Sequence, residues 1–278
     1  MKSRVSIYKI PTRIFLVIWC GFSIFSLLWI VITSLKTNRE FFEGVWTLFK
    51  SPQFVNYIKV WSTYRLGSYF FNSIIVVGIS VAGIVVISAL ASYVLARIQF
   101  RFRGILTKFF TLGMGVPYQL MLVPIFFLLY ALNLINSLAG LIFIYIALSL
   151  PFSIFVMISF FKSLPHELEE AALIDGCSPM KTFFLIMLPL ARPATITTSI
   201  FNFIWLWNEF LLVLTFIDTN EKFTLSVGLY GIQTSMLYTG DWVGLFSGFT
   251  MVLLPTLLVF VLLSRRLIEG LTIGAVKG

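Results

Sequence analysis

Charge is what this chain has least of. Only 11% of its 278 residues are Asp, Glu, Lys or Arg, while 59% are hydrophobic, against the roughly 25% charged of soluble domains. That balance, with a mean hydropathy of +0.99, excludes an ordinary water-soluble domain. Histidine is nearly absent: His166 stands alone, and a single imidazole builds neither a metal site nor a triad. No metal ligands and no catalytic constellation are therefore expected. The two cysteines, Cys20 and Cys177, form no disulfide framework. No glycine-rich loop ending in Lys-Ser or Lys-Thr occurs, so the chain lacks the cradle that binds nucleotide phosphates. It has no internal repeat and no low-complexity tract.

What is present is a series of long apolar runs. A span needs about 20 such residues, and the sequence holds six, near 14–35, 69–96, 109–132, 138–161, 194–217 and 243–264. The fold class expected is an all-α integral membrane protein with six transmembrane helices. The first run is too long for a signal-peptide core and lacks a small-residue cleavage site, so it reads as an anchor. Gly113, Gly115, Pro117 and Pro124 predict a kink or break in the third. Residues 36–68 are mixed in charge and too polar to cross a bilayer.

The net charge of +9 could suggest nucleic acid, but in such a chain basic residues mark membrane flanks instead, and no nucleic-acid partner is expected. With both termini cytoplasmic, fourteen basic residues lie inside: Lys2, Arg4, Lys9, Arg13, Arg97, Arg101, Arg103, Lys108, Lys162, Lys181, Arg192, Arg265, Arg266 and Lys277. Six lie outside, five of them within one segment: Lys36, Arg39, Lys50, Lys59, Arg65 and Lys222. The excess inside sets the orientation and places the stretch between the fourth and fifth runs in the cytoplasm.

That stretch, EAALIDGCSPMKTFFLIMLP from Glu170 to Pro189, is built like a packed structure. Pro165 suits the first turn of a helix, and Glu167, Glu169 and Glu170 favour its positive end. Asp175-Gly176 should end it, since glycine takes the left-handed conformation past a helix terminus. Ser178-Pro179 then gives an N-cap and a first-turn proline. Met180, Phe183, Phe184, Met187 and Leu188 recur at helical spacing up to Pro189. The expectation is helix, glycine elbow, helix.

Glu-Ala-Ala, an Asp-Gly three residues on, and an apolar run closing in Leu-Pro resemble the EAA loop of bacterial ABC importer permeases. Glu170, Ala171, Ala172, Gly176, Ile186, Leu188 and Pro189 stand at the family's positions, with Asp175 beside the glycine. Trp207-Asn208-Glu209-Phe210 and the tail Glu269-Gly270-Leu271-Thr272 with Gly274 to Gly278 resemble the carbohydrate-uptake branch, that of the smaller maltose-permease subunit. The resemblance implies a type I importer architecture with cytoplasmic coupling helices. It implies a multi-pass permease of the bacterial cell membrane that forms half of a sugar or oligosaccharide pore, with membrane lipid around it. Its partners would be a second homologous permease, two cytoplasmic ATPase subunits and an extracytoplasmic sugar-binding protein. ATP would be used by the partner ATPase, with no cofactor bound by this chain. The 218–242 loop, with Gly228, Tyr230, Gly231 and Gln233, resembles the loop that probes the binding protein.

Along the chain this gives residues 1–68 as cytoplasmic start, first span and external segment, 69–264 as the permease core with its coupling loop at 162–192, and 265–278 as a cytoplasmic tail. Two readings stay open for Asn208 and Glu209. An ionisable group in a span faces a cavity or a partner, so these residues either line the translocation path or make a structural contact. Trp205 and Trp207 read as members of an interfacial aromatic belt. The alternatives at this point are an ATP-independent secondary carrier, which should show inverted repeats or midplane ionisable groups, a permease for a non-sugar solute, and a membrane anchor.

Overall fold

The computed structural model describes the backbone of residues 9–275 and the side chains of residues 11–263. The terminal motif residues Glu269 to Gly278 therefore lie outside the described side chains. Among the described residues there are helices and no strands, as expected where lipid leaves backbone groups no partner but their own chain.

Two compact units are distinguished: one takes residues up to Gly67 with Gly228–Leu254, the other Ser68–Val227 with the chain from Pro255. In the first unit, α1 (Lys9–Ser34) is an uninterrupted apolar helix. Two short helices follow, α2 (Asn38–Glu43) and α3 (Val55–Ser62). Thr37 and Glu40 form a reciprocal capping box at the start of α2, satisfying two amides that the helix cannot. Lys36 is fully buried, its Nζ donating to the carbonyls of Gly44 and Val45 at 3.0 Å each. Desolvation lowers its pKa, against the nearby Glu40 carboxylate. The outside charge counted at this position is thus a buried tie closing the loop after α2.

The second unit is built on α4 (Leu66–Arg97), α7 (Leu138–Ser163) and α11 (Arg192–Trp207). Small hydroxyls and one amide join them: Ser92 Oγ donates to the Ile154 carbonyl at 3.1 Å, and Asn202 Nδ2 to Ser153 Oγ at 2.9 Å. Such bonds hold spans together where apolar burial alone does not distinguish helix from lipid. The third run divides into α5 (Arg103–Gly113) and a Tyr118–Ala131 piece, a 3-10 turn leading into α6 (Leu122–Ala131). The two are bent by 99°. Pro117 sits at the break with an extended ψ of 119°, and the residue before a proline is pushed out of the helical region.

Among the described residues four helices are long and apolar enough to cross a membrane, and up to six spans result if each of two bent pairs is one span. The second bent pair joins Pro179–Leu190 to α11 at 71°. After α11 comes α12 (Leu211–Phe216), so the fifth run is an interrupted helix. The 218–242 stretch, expected as a loop, holds a helix of 15 residues, α13 (Leu225–Thr239). Leu225, Ile232 and Met236 are buried on it. Their helical spacing is legible in the sequence, and the glycines at 228 and 231 conceal it. The last helix, α14 (Trp242–Ala275), extends well past the sixth run.

Candidate functional site

The expected helix, elbow and helix are present. Helix α8 spans Glu167–Ile174 with His166 as its N-cap. It begins two residues beyond Pro165, which lies in the extended link rather than in the first turn. Asp175 closes it, and Gly176 takes φ +75°, a conformation that costs an L side chain about 1–2 kcal/mol. Ser178 accepts from the Lys181 amide at 3.4 Å with Pro179 at the first helical position, starting α9 (Pro179–Thr182).

The second helix does not stop at Pro189. It widens into a π turn over Phe183–Met187, where the Leu188 amide bonds the Phe183 carbonyl, and continues as α10 (Leu188–Leu190). A proline ring collides with the carbonyl four residues back in a regular α-helix. The wider turn ahead of Pro189 removes that collision, and π turns recur at functional places.

This segment has two unlike sides. Ala172 is 2% exposed, Phe183 2% and Met187 0%, while Leu173 is 63% and Ile174 86% exposed. Glu170, Ala171, Asp175, Gly176 and Pro189 are exposed too, and Leu188 is half-buried. Of the two alanines, therefore, only Ala171 is available to another surface. Phe183 packs on Tyr93 of α4 and Phe161 of α7, with ring centroids 5.1 Å and 6.5 Å away. A core including Ala89, Ile154, Met157 and Ala194 continues this packing into α4, α7 and α11. Sequence reasoning missed Arg97. It is the last residue of α4, its side chain is 2% exposed, and its Nη2 donates to the Leu164 carbonyl at 2.6 Å.

Glu209 lies in the break between α11 and α12 and is 4% exposed. Its oxygens accept from Tyr145 Oη at 3.1 Å, the Leu212 amide at 2.8 Å and the Val213 amide at 3.4 Å. A carboxylate there satisfies the free amides of α12 and the positive end of its dipole. Asn208 beside it is exposed, and its Nδ2 donates to the Ile204 carbonyl at 2.7 Å. Trp207 is 3% exposed, stacked on Phe203 and edge-on to Phe70. It is a packing residue, not a member of an aromatic belt. Trp205 is half-buried beside Tyr118 and Tyr145.

On α13, Gly228 is buried, whereas Tyr230, Gly231 and Gln233 are exposed along the helix. Among the described residues no group of His, Cys, Asp or Glu could hold a metal ion.

Broken apolar helices packed against one side of an exposed helix-glycine-helix segment are the arrangement expected of a membrane permease subunit. The comparisons with known proteins agree. Residues 83–271 match the family described as binding-protein-dependent transport system inner membrane component, and the chain belongs to that family. It is 36% identical over 262 residues to the diacetylchitobiose uptake system permease protein NgcG of Streptomyces coelicolor, covering 94% of this chain and 87% of that one. It is 36% identical to the sulfoquinovosyl glycerol transport system permease protein SmoH of Agrobacterium fabrum, over 92% of this chain and 89% of that one. To the trehalose/maltose transport system permease protein MalG of Thermococcus litoralis it is 33% identical, over 92% of each. The fold matches a chain in the crystal structure of a bacterial ABC transporter involved in the import of the acidic polysaccharide alginate. That match has a TM-score of 0.80 and 20% identity, and covers 93% of this chain and 96% of that one.

Proposed function

We propose that this chain forms half of the translocation path for a sugar or oligosaccharide and couples it to a separate ATPase through residues 167–190. The observation that carries the coupling is the two-sided segment itself. Its outer side offers Glu170, Ala171, Leu173, Ile174 and Asp175, and its inner side is anchored by Ala172, Phe183 and Met187. Exposed apolar side chains beside a carboxylate suit a protein partner with an apolar cleft and a basic rim.

The solute class rests on the relatives, whose names specify diacetylchitobiose, sulfoquinovosyl glycerol and trehalose or maltose. The orientation rests on the fourteen-to-six division of basic residues, which puts both termini and the coupling segment in the cytoplasm. The complex comprises this chain, a second homologous permease, two ATPase subunits below and an extracytoplasmic binding protein above. That binding protein would meet the exposed residues Tyr230, Gly231 and Gln233 of α13. Asn208 is the residue of the α11 to α12 break open to a solute, while the oxygens of Glu209 are held by this chain's own donors.

In this mechanism ATP binding closes the ATPase pair, and the docked segment moves as a rigid lever that rocks α7 and α11. ATP stays with the partner; this chain binds no cofactor and performs no chemical step. Nucleotide shifts the equilibrium only by its differential affinity for the two states.

The test is to purify the tagged chain in mild detergent and identify what accompanies it, then to measure uptake in proteoliposomes. A stoichiometric ATPase, a second permease and ATP-dependent uptake of a sugar are expected, with Glu170→Lys uncoupling the two. A chain that comes out alone and transports without ATP would sink the proposal.

A further inference from the structure

Helix α8 has little apolar anchorage: Ala172 is its one buried residue. What fixes it is polar. The Arg97 guanidinium lies 3.5 Å through Nε from Glu169 Oε2, and Nη2 donates to the carbonyls of Leu164 at 2.6 Å and Pro165 at 3.4 Å. The carboxylate and the two carbonyls that Arg97 meets belong to α8 and to the link that joins α8 to α7, some 67 residues further along the chain.

We propose that Arg97 is a positioning residue for energy coupling, fastening α4 to α8 so that the two move as one body. This inference rests on the coupling role proposed for residues 167–190 and adds a third arm, α4, to the two spans that flank them. The arrangement is poorly suited to stability alone. Nε and Nη1 are both buried without a hydrogen-bond acceptor, Nε meeting Glu169 only as an ion pair, and a buried ion pair with unmatched donors contributes little net stability, an apolar isostere being often neutral. The guanidinium supplies direction instead. Its planar group directs Nη2 at two carbonyls while holding its charge beside the Glu169 carboxylate, a fixed geometry that a rotatable lysine ammonium does not reproduce. Packing of Phe183 on Tyr93 ties α4 to the second half of the segment, so without Arg97 the first half would pivot on the extended link at Leu164-Pro165.

The experiment uses the whole complex in proteoliposomes and reads solute taken up per ATP hydrolysed. In Arg97→Met the subunits should co-purify at wild-type ratios and ATP hydrolysis should persist, while uptake per ATP falls about tenfold, a typical coupling energy. Arg97→Lys should fall between the two. Unchanged uptake per ATP in an assembled Arg97→Met complex overturns the proposal.

Spin labels at Val94 and Glu167, in a chain with Cys20 and Cys177 replaced, test the same idea with Arg97 intact. Their separation should stay within about 2 Å between nucleotide-free and vanadate-trapped states, well short of the ~5.4 Å by which one element ratchets a turn past another. A larger change overturns the proposal whatever the variants do. If the wild-type complex itself shows no ATP-dependent uptake, the coupling role fails and the Arg97 tie falls with it. Failure confined to the variants or the label distance removes the tie alone.

Discussion

The Asp241 carboxylate and the Lys59 ammonium stand 2.7 Å apart across 182 positions of sequence. Asp241 also accepts from Tyr64 Oη at 2.9 Å, Asn38 Nδ2 at 3.0 Å and the Gly244 amide at 3.1 Å. It thus caps α14 and gathers α2, α3 and the turn after α3 onto one carboxylate. Burial alone would raise its pKa, but the bonds from Lys59, Asn38, Tyr64 and Gly244 outweigh burial and hold it below the ordinary 3.8. The bond to Asp241 raises Lys59 above 10.5.

A depressed carboxyl contributes stability above its unfolded value that is lost as pH falls through the folded one, and a raised lysine contributes stability lost as pH rises through its folded one. The unfolding-temperature difference between the wild type and Asp241→Asn should therefore be flat between the two ordinary values, 3.8 and 10.5. It should narrow in more acid and more alkaline buffer. Asp241→Ala should cost about 2 kcal/mol, from the lost cap and the stranded partners; Lys59, 46% exposed, is rehydrated and adds little.

Glu209→Ala removes three accepted bonds inside a span and should destabilise the purified chain by about 2–3 kcal/mol, while Glu209→Gln, which keeps one acceptor, should cost roughly half. The discriminating quantity is the KM for solute. It should be unchanged in Glu209→Gln; a KM raised with folding intact would show that the carboxylate contacts solute.

Gly176→Val places a β-branched residue at φ +75° and should cost about 1–2 kcal/mol locally. Gly176→Asn, which tolerates that conformation better, should lose less uptake than the valine variant. Equal uptake in all three chains would show that the elbow's shape does not matter.

Phe183→Ala empties a site bounded by Tyr93, Phe161 and Phe184 and should cost about 3–5 kcal/mol. Proteolysis should then open residues 175–191 before the rest of the chain. Uniform loss of protection would show that Phe183 belongs to the global core alone.

The helix-glycine-helix segment was legible because its signals are local. Gly176 and the Ser178-Pro179 cap act within a few residues, and each stands within two positions of where the sequence puts it. The break in the third run was legible for the same reason, since Pro117 acts on its own backbone. The shape of 225–239 was less so: two glycines weaken a helix in isolation, and burial of Leu225, Ile232 and Met236 overrides them. Asn208 and Glu209 were singled out as an unusual polar pair, but sequence alone left the direction of the carboxylate open. Tyr145 and the amides of α12 decide it.

Composition and run length thus determined that this chain lies in a membrane, the six apolar runs with which it can cross, and where the helix-glycine-helix interruption between the fourth and fifth runs falls. These follow from the solvent and from neighbouring residues. Tertiary structure alone decided which charges are tied and to what: Arg97 to Glu169, Lys59 to Asp241, Lys36 to two carbonyls, Glu209 to Tyr145. A side chain's charge is set by its identity, but its partner is set by whichever distant segment the packed helices bring within reach.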